Sequence, residues 1–134
     1  MLSDEIKPAM QGVYPSVIVS CSLEGMPNTT EISQVFYVDE SHVALSHQFF
    51  NKTYRNVREN PFVTALLLNP KNFDNWNLDL QYDHSETEGP LFDRMDMQLE
   101  AIATMYGMSD VFKLQAADVY KVLKVRKLNN RIPA

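Results

Sequence analysis

Residues 45–61, "LSHQFFNKTYRNVRENP", run from an alternating strand-like pattern into a short basic helix pattern. A phenylalanine pair, Phe49-Phe50, leads into Asn51-Lys52-Thr53. Asn51 suits the N-cap of a helix that ends near Glu59, and Pro61 bars its continuation. The first amides left without acceptors would belong to Lys52, Thr53 and Tyr54. Such amides, with the positive end of a helix, attract phosphate, and Lys52 and the Thr53 hydroxyl add a charge and a donor. Two readings fit this stretch. One is an anion held at the strand–helix junction; the other is a capped surface helix whose Lys52, Arg55 and Arg58 form a solvated stripe.

Outward from this junction the chain reads as mostly strands. Ser3, Asp4, Glu5 and Gly12 outline a short N-terminal helix over residues 3–12. SVIVSCS (16–22) is strand-like, Glu24-Gly25-Met26-Pro27 turns the chain, and residues 28–38 (NTTEISQVFYV) form a second strand, making a hairpin. Asp39-Glu40-Ser41 turns into a strand over Val43–Phe49. After Pro61, FVTALLL is apolar at successive positions and predicts a central strand buried on both faces. WNLDLQYDHSETE (76–88) alternates, with Trp76, Leu78, Leu80 and Tyr82 on one face. Phe92, Met95, Leu99, Ile102 and Tyr106 recur at helical spacing up to Gly107. Residues 111–125 predict a last strand, with a bend or bulge at Ala116-Ala117-Asp118. No repeat, linker or low-complexity segment divides the chain, so one domain spans residues 1–134. Antiparallel strands with a few helices imply a mainly β protein, a small barrel or sandwich whose openings the helices cover.

A second polar stretch lies in the hairpin. Residues 35–38 are apolar, but Thr29, Thr30, Ser33 and Gln34 place hydrogen-bonding groups on both faces around Ile32. Such lining suits the edge of a flat heteroaromatic ring and equally an exposed barrel rim. Ser46 and Gln48 add to this surface if their strand pairs with it.

Composition removes several function classes. A net charge of −5 argues against a nucleic-acid binder, which needs a basic face. No run is long enough to span a bilayer, and the N-terminus MLSDEIKPAM lacks a secretory pattern. The single cysteine, Cys21, excludes an internal disulfide, fits a cytoplasmic address and reads as a buried inert thiol. His42, His47 and His84 lack metal-ligand spacing, and no serine elbow, Walker loop or Rossmann glycine pattern occurs. Between Asp74 and Glu100 there are eight carboxylates and one basic residue, Arg94, whereas the tail KVLKVRKLNNR is basic.

Two stretches, "VSCSLEGMPNTTEISQVFYVD" and "ALSHQFFNKTYRNVRENPFV", together with the later "ETEGPLFDRM", resemble the FMN-binding split-barrel family, the pyridoxamine 5′-phosphate oxidase-like flavoproteins. The resemblance covers roughly residues 6–125 and implies a six-stranded antiparallel split barrel that forms homodimers with FMN between subunits. Carried over by position, it implies that Asn51, Lys52 and Thr53 hold the FMN phosphate. Thr30, Ile32, Ser33 and Gln34 would line the ring, with Ser46 and Gln48 beneath it. Counted back from Asn60-Pro61, Thr53 stands where the family usually has lysine, and either Lys52 or Thr53 takes the main basic position. The chain ends in "VRKLNNRIPA", without the arginine–histidine segment that grips substrate phosphate in the oxidase itself. The resemblance therefore implies flavin binding with redox chemistry on an unidentified small molecule, and not vitamin B6 oxidation. The competing class is a non-catalytic module: a flavin or haem carrier or sensor, or a dimerising scaffold without cofactor.

Overall fold

The computed structural model describes residues 1–10, 15–32, 35–47, 52–105, 107 and 114–128. A 3-10 turn (Lys7–Met10) is followed by β1 (Ser16–Cys21), β2 (Pro27–Ile32), β3 (Phe36–Asp39), β4 (His42–His47), α1 (Lys52–Glu59), β5 (Phe62–Leu68), β6 (Asn75–Glu86), α2 (Pro90–Met105) and β7 (Ala116–Leu128). All strand pairs are antiparallel, in one sheet of order β2-β1-β5-β6-β7-β4-β3.

That order makes the sheet roll up. β2 and β3 are its two edges, yet only residues 33–35 separate them in the chain. A flat sheet of seven strands would hold its edges about 29 Å apart. The link from Ile32 to Phe36 reaches at most about 14 Å. The edges must therefore curl towards each other, giving a split barrel. Two bulges assist the bending. Tyr82 pairs with Tyr120 and His84 with Val119, leaving Asp83 as an extra residue in β6. Asp79 pairs with Lys124 and Leu80 with Val122, leaving Leu123 extra in β7.

Several expectations are corrected by this arrangement. Seven strands replace six, because the run 28–38 is two strands belonging to opposite sheet edges. Ala116–Asp118 is regular strand, with Ala117 and Asp118 paired on both sides and Ala116 paired to β4, and the bulges fall at Asp83 and Leu123 instead. The expected helix over 3–12 contracts to the 3-10 turn, and Gly12 lies outside the described residues.

The barrel interior is filled by Ile18, Val43, Ala65, Leu78, Leu80 and Val122, none more than 1% exposed. Leu2, Ile6, Ala9 and Met10 plug one mouth, where Leu2 N–H donates to the Glu40 carbonyl (2.9 Å). α1 crosses the other mouth, carrying the chain from β4 to β5 past two intervening strands and inserting Val57. A second core lies outside the barrel, where Leu91, Met95 and Leu99 of α2 cover Phe36, Ala44, Ala117 and Val119. Phe92, Met95 and Leu99 of the predicted apolar face of α2 are thus covered by its own sheet, the Ile102 side chain and Tyr106 lie outside the described residues, and Met97 and Met105 point to solvent. β5 is central, but only Val63, Ala65 and Leu67 are buried; Phe62 and Leu66 face outward. Cys21 is half-buried on that same outer face of β1.

Leu78 sits at mid-strand with no exposure, so Leu78→Ala should cost about 2–5 kcal/mol of stability. Denaturant unfolding followed by fluorescence of the sole tryptophan, the buried Trp76, will measure it.

Candidate functional site

The first turn of α1 meets β2 and β1 at the barrel mouth. Asn28 Nδ2 donates to Thr53 Oγ1 (3.1 Å), fixing the helix start against the strand. One turn on, Asn56 Nδ2 donates to Ser20 Oγ (3.1 Å); Asn56 is 9% and Ser20 1% exposed. α1 has eight residues, too few for stability in isolation, so these bonds and the Val57 anchor hold it. Arg55 and Asn56 form one wall of a cleft of ≈ 300 Å³ whose other wall is the β1–β2 hairpin at Ser22, Met26 and Asn28.

Arg55 and Arg58 of α1 do not converge on one anion. Lys52 opens the helix, and its side chain lies outside the described residues. Arg55 lines the hairpin cleft. Arg58 occupies the last turn, where a cation suits the negative helix end, and lies 5.6 Å from the centre of the Tyr82 ring. Beneath it is a partly buried polar chain: Tyr82 packs edge-on against Tyr120 (5.5 Å), the Tyr82 hydroxyl bonds to Ser85, and Ser85 Oγ donates to Asp118 Oδ1 (2.6 Å). Burial, followed by the Asp118 and Tyr82 charges, pushes the Tyr120 phenol well above its usual range, with Arg58 opposing. Tyr120 is therefore a neutral hydroxyl at physiological pH.

Asn28, Thr30 and Ile32 lie on the half-buried face of β2, while Pro27, Thr29 and Glu31 are exposed. Thr30 pairs with Ile18, and Ile32 with Ser16 while packing on the barrel core. Thr53 shares their surroundings through Asn28. Ser46 is not on this surface. β4 pairs with β3 and β7, not with β2, and Ser46 lies opposite Ala117 on the face that α2 covers. Ser33, Gln34, Gln48 and Asn51 lie outside the described residues.

Sequence reasoning missed Asn28, which it read only as the start of a strand, and Asn56, read as part of a basic helix. Asn56 had a visible signal: it is an uncharged polar residue beside Val57 in an otherwise basic helix. Asn28 had none, because its role depends on a partner 25 residues away.

The family model described as pyridoxamine 5′-phosphate oxidase matches residues 2–123. The chain belongs to the pyridoxamine 5′-phosphate oxidase family. Solved structures with the same split-barrel fold include an FMN-binding protein from Syntrophomonas wolfei subsp. wolfei. It is 19% identical with a TM-score of 0.76, over 95% of this chain and 88% of that one. HupZ from Group A Streptococcus is 15% identical with a TM-score of 0.73, over 100% and 99% of the two chains. HutZ, the haem storage protein of Vibrio cholerae, is 15% identical with a TM-score of 0.62, over 94% of each chain. No curated protein matches the chain. Within this family the described part of the chain has no helix long and apolar enough to cross a membrane.

Asn56→Ala would leave the buried Ser20 hydroxyl without its partner and loosen α1, at a cost of about 1–3 kcal/mol. Thermal unfolding will show the loss, and amide hydrogen exchange should rise in α1 before it rises in β6.

Proposed function

We propose that this protein binds FMN as an oxidoreductase cofactor, with the phosphate at the start of α1 and the ring along β2. The observation that carries the reading is the Asn28–Thr53 bond, which sets the first turn of α1 beside the hydroxyl-bearing face of β2. The donor set fits a phosphate. Thr53 accepts from Asn28, so its own proton remains to be donated outward. Helix geometry leaves the first-turn amides without acceptors inside the helix, and Lys52 supplies a positive charge. Asn51, Lys52 and Thr53 would hold the phosphate. Thr30, Ile32, Ser33 and Gln34 would line the ring, and Gln48 completes the proposed set; Ser46, on the face that α2 covers, stands outside it. Bound FMN would accept a hydride or electrons and pass them to an acceptor, while these residues orient its ring.

A homodimer is part of the proposal. The Phe92, Met95 and Leu99 part of the α2 face is covered by the protein's own sheet. The outer face of β1 and β5 offers an alternative: Phe62 is 54% and Leu66 38% exposed, with Val17 paired directly opposite Leu66 and Val19 along the same strand. Neighbouring exposed apolar side chains on two central strands are what a subunit contact buries.

The second reading, a haem carrier, is favoured by the likeness to the Vibrio cholerae haem storage protein. Absorbance separates the two, since flavin and haem spectra are distinct. Purified protein, or protein given FMN, should show flavin bands and quenched flavin fluorescence. Lys52→Glu should weaken FMN binding by about tenfold or more. Colourless protein that fails to take up added FMN would end the flavin reading.

Light scattering should give twice the 15.4 kDa chain mass, and Phe62→Glu should return it to a monomer. A monomeric wild-type protein at micromolar concentration would refute the subunit contact.

A further inference from the structure

A second pocket, of ≈ 290 Å³, opens between the N-terminal 3-10 turn, the start of β3 and α2. Its floor is apolar: Met10, Val35 and Phe36 line it and are all at most 5% exposed. Its charged lining is Lys7 and Arg94. None of these residues belongs to the proposed flavin set, and the inference below does not rest on flavin binding.

The two cations are not equivalent. Lys7 is 3.0 Å from Asp4 and lies 4.3 Å from the centre of the Tyr37 ring. Its charge is largely answered already. Arg94 has no ion-pair partner among the described residues, although it is the one basic residue among the eight carboxylates from Asp74 to Glu100. Helical spacing explains this. Positions three and four away from Arg94 are Pro90, Leu91, Met97 and Gln98, so no acid of α2 stands where it could pair with it. One unanswered guanidinium thus lines a half-open pocket with an apolar floor. Its fork of N–H donors matches a carboxylate. The size admits a single ring with a short arm, at the small end of ligand sites.

We propose that the pocket between the 3-10 turn, β3 and α2 binds small aromatic monocarboxylic acids, the carboxylate on Arg94 and the ring on Met10, Val35 and Phe36. One net charge in the site favours a monoanion over a dianion. The apolar floor gives the ligand a ring or similar flat body in place of a second polar end.

Isothermal titration of flavin-free protein tests this with phenylacetate, its neutral isostere phenylacetamide, and phenyl phosphate. Phenylacetate should bind saturably, with phenylacetamide about tenfold weaker or worse and phenyl phosphate weaker than phenylacetate. Arg94→Met should lose phenylacetate by about tenfold or more, and Arg94→Lys should fall between, since an ammonium lacks the fork. Lys7→Met should change binding by less than about threefold, because Asp4 already neutralises it. Arg94 is exposed, so these variants should melt with the wild type. Equal binding of acid and amide, tighter binding of the phosphate, or an Arg94→Met variant that binds like wild type would each overturn the proposal. FMN binding by Arg94→Met should equal that of wild type. Its loss would make the pocket part of the flavin cradle and overturn the separate site.

Discussion

The link of residues 33–35 is the constraint on which the molecule depends. It joins strands that lie at opposite edges of one sheet, and no flat arrangement can satisfy it. Rolling the sheet creates an interior, and the alternating strands fill it with Ile18, Val43, Leu78, Leu80 and Val122. Rolling also creates two mouths that must be closed against water. The N-terminal residues close one and α1 closes the other. The candidate ligand corner follows from that closure. A helix crossing the mouth from β4 to β5 necessarily starts near the rim, and here its start meets β2.

Among its described side chains, α1 is fastened to the barrel largely by polar contacts. Its inward anchor is Val57, and Asn56 and Thr53 fasten the rest to β1 and β2 through side-chain hydrogen bonds. A buried amide bonded to a buried hydroxyl contributes only modestly to net stability. It is costly to disrupt, so it fixes the register of the helix more than its presence. At the other end of the helix, Arg58 lies over Tyr82, whose hydroxyl leads through Ser85 to Asp118. Both ends of the lid are therefore tied to the barrel wall by polar side chains, with one aliphatic residue between them.

Membership of the pyridoxamine 5′-phosphate oxidase family gives this chain's fold a chemical context. Its junction carries one lysine and a threonine at 52 and 53, and its α2 carries Arg94 among acids. The two places lie on different elements: one where α1 meets β2, the other where α2 meets β3 and the N-terminal turn. Against an overall charge of −5, the basic residues at the two places are local exceptions.

Alternation in β6, helical spacing in α2, and the Asn–Pro stop after α1 were legible in the sequence because each follows from contacts a few residues apart. α1 falls at Lys52–Glu59, where the local signals predicted it. Partners distant in the chain were not legible. The run 28–38 has strand propensity throughout, so nothing local shows that its halves pair with β1 and β4 at opposite edges. The same holds for Phe62 and Leu66, apolar residues that face outward because their strand has only one interior side. Ser46 and Thr30 looked alike in sequence, yet β4 turns Ser46 towards α2 while β2 turns Thr30 to the mouth. Local sequence determined the elements and the chemistry they carry. Only the closure of the sheet decided which side chains share a surface, because that closure depends on contacts between residues far apart in the chain.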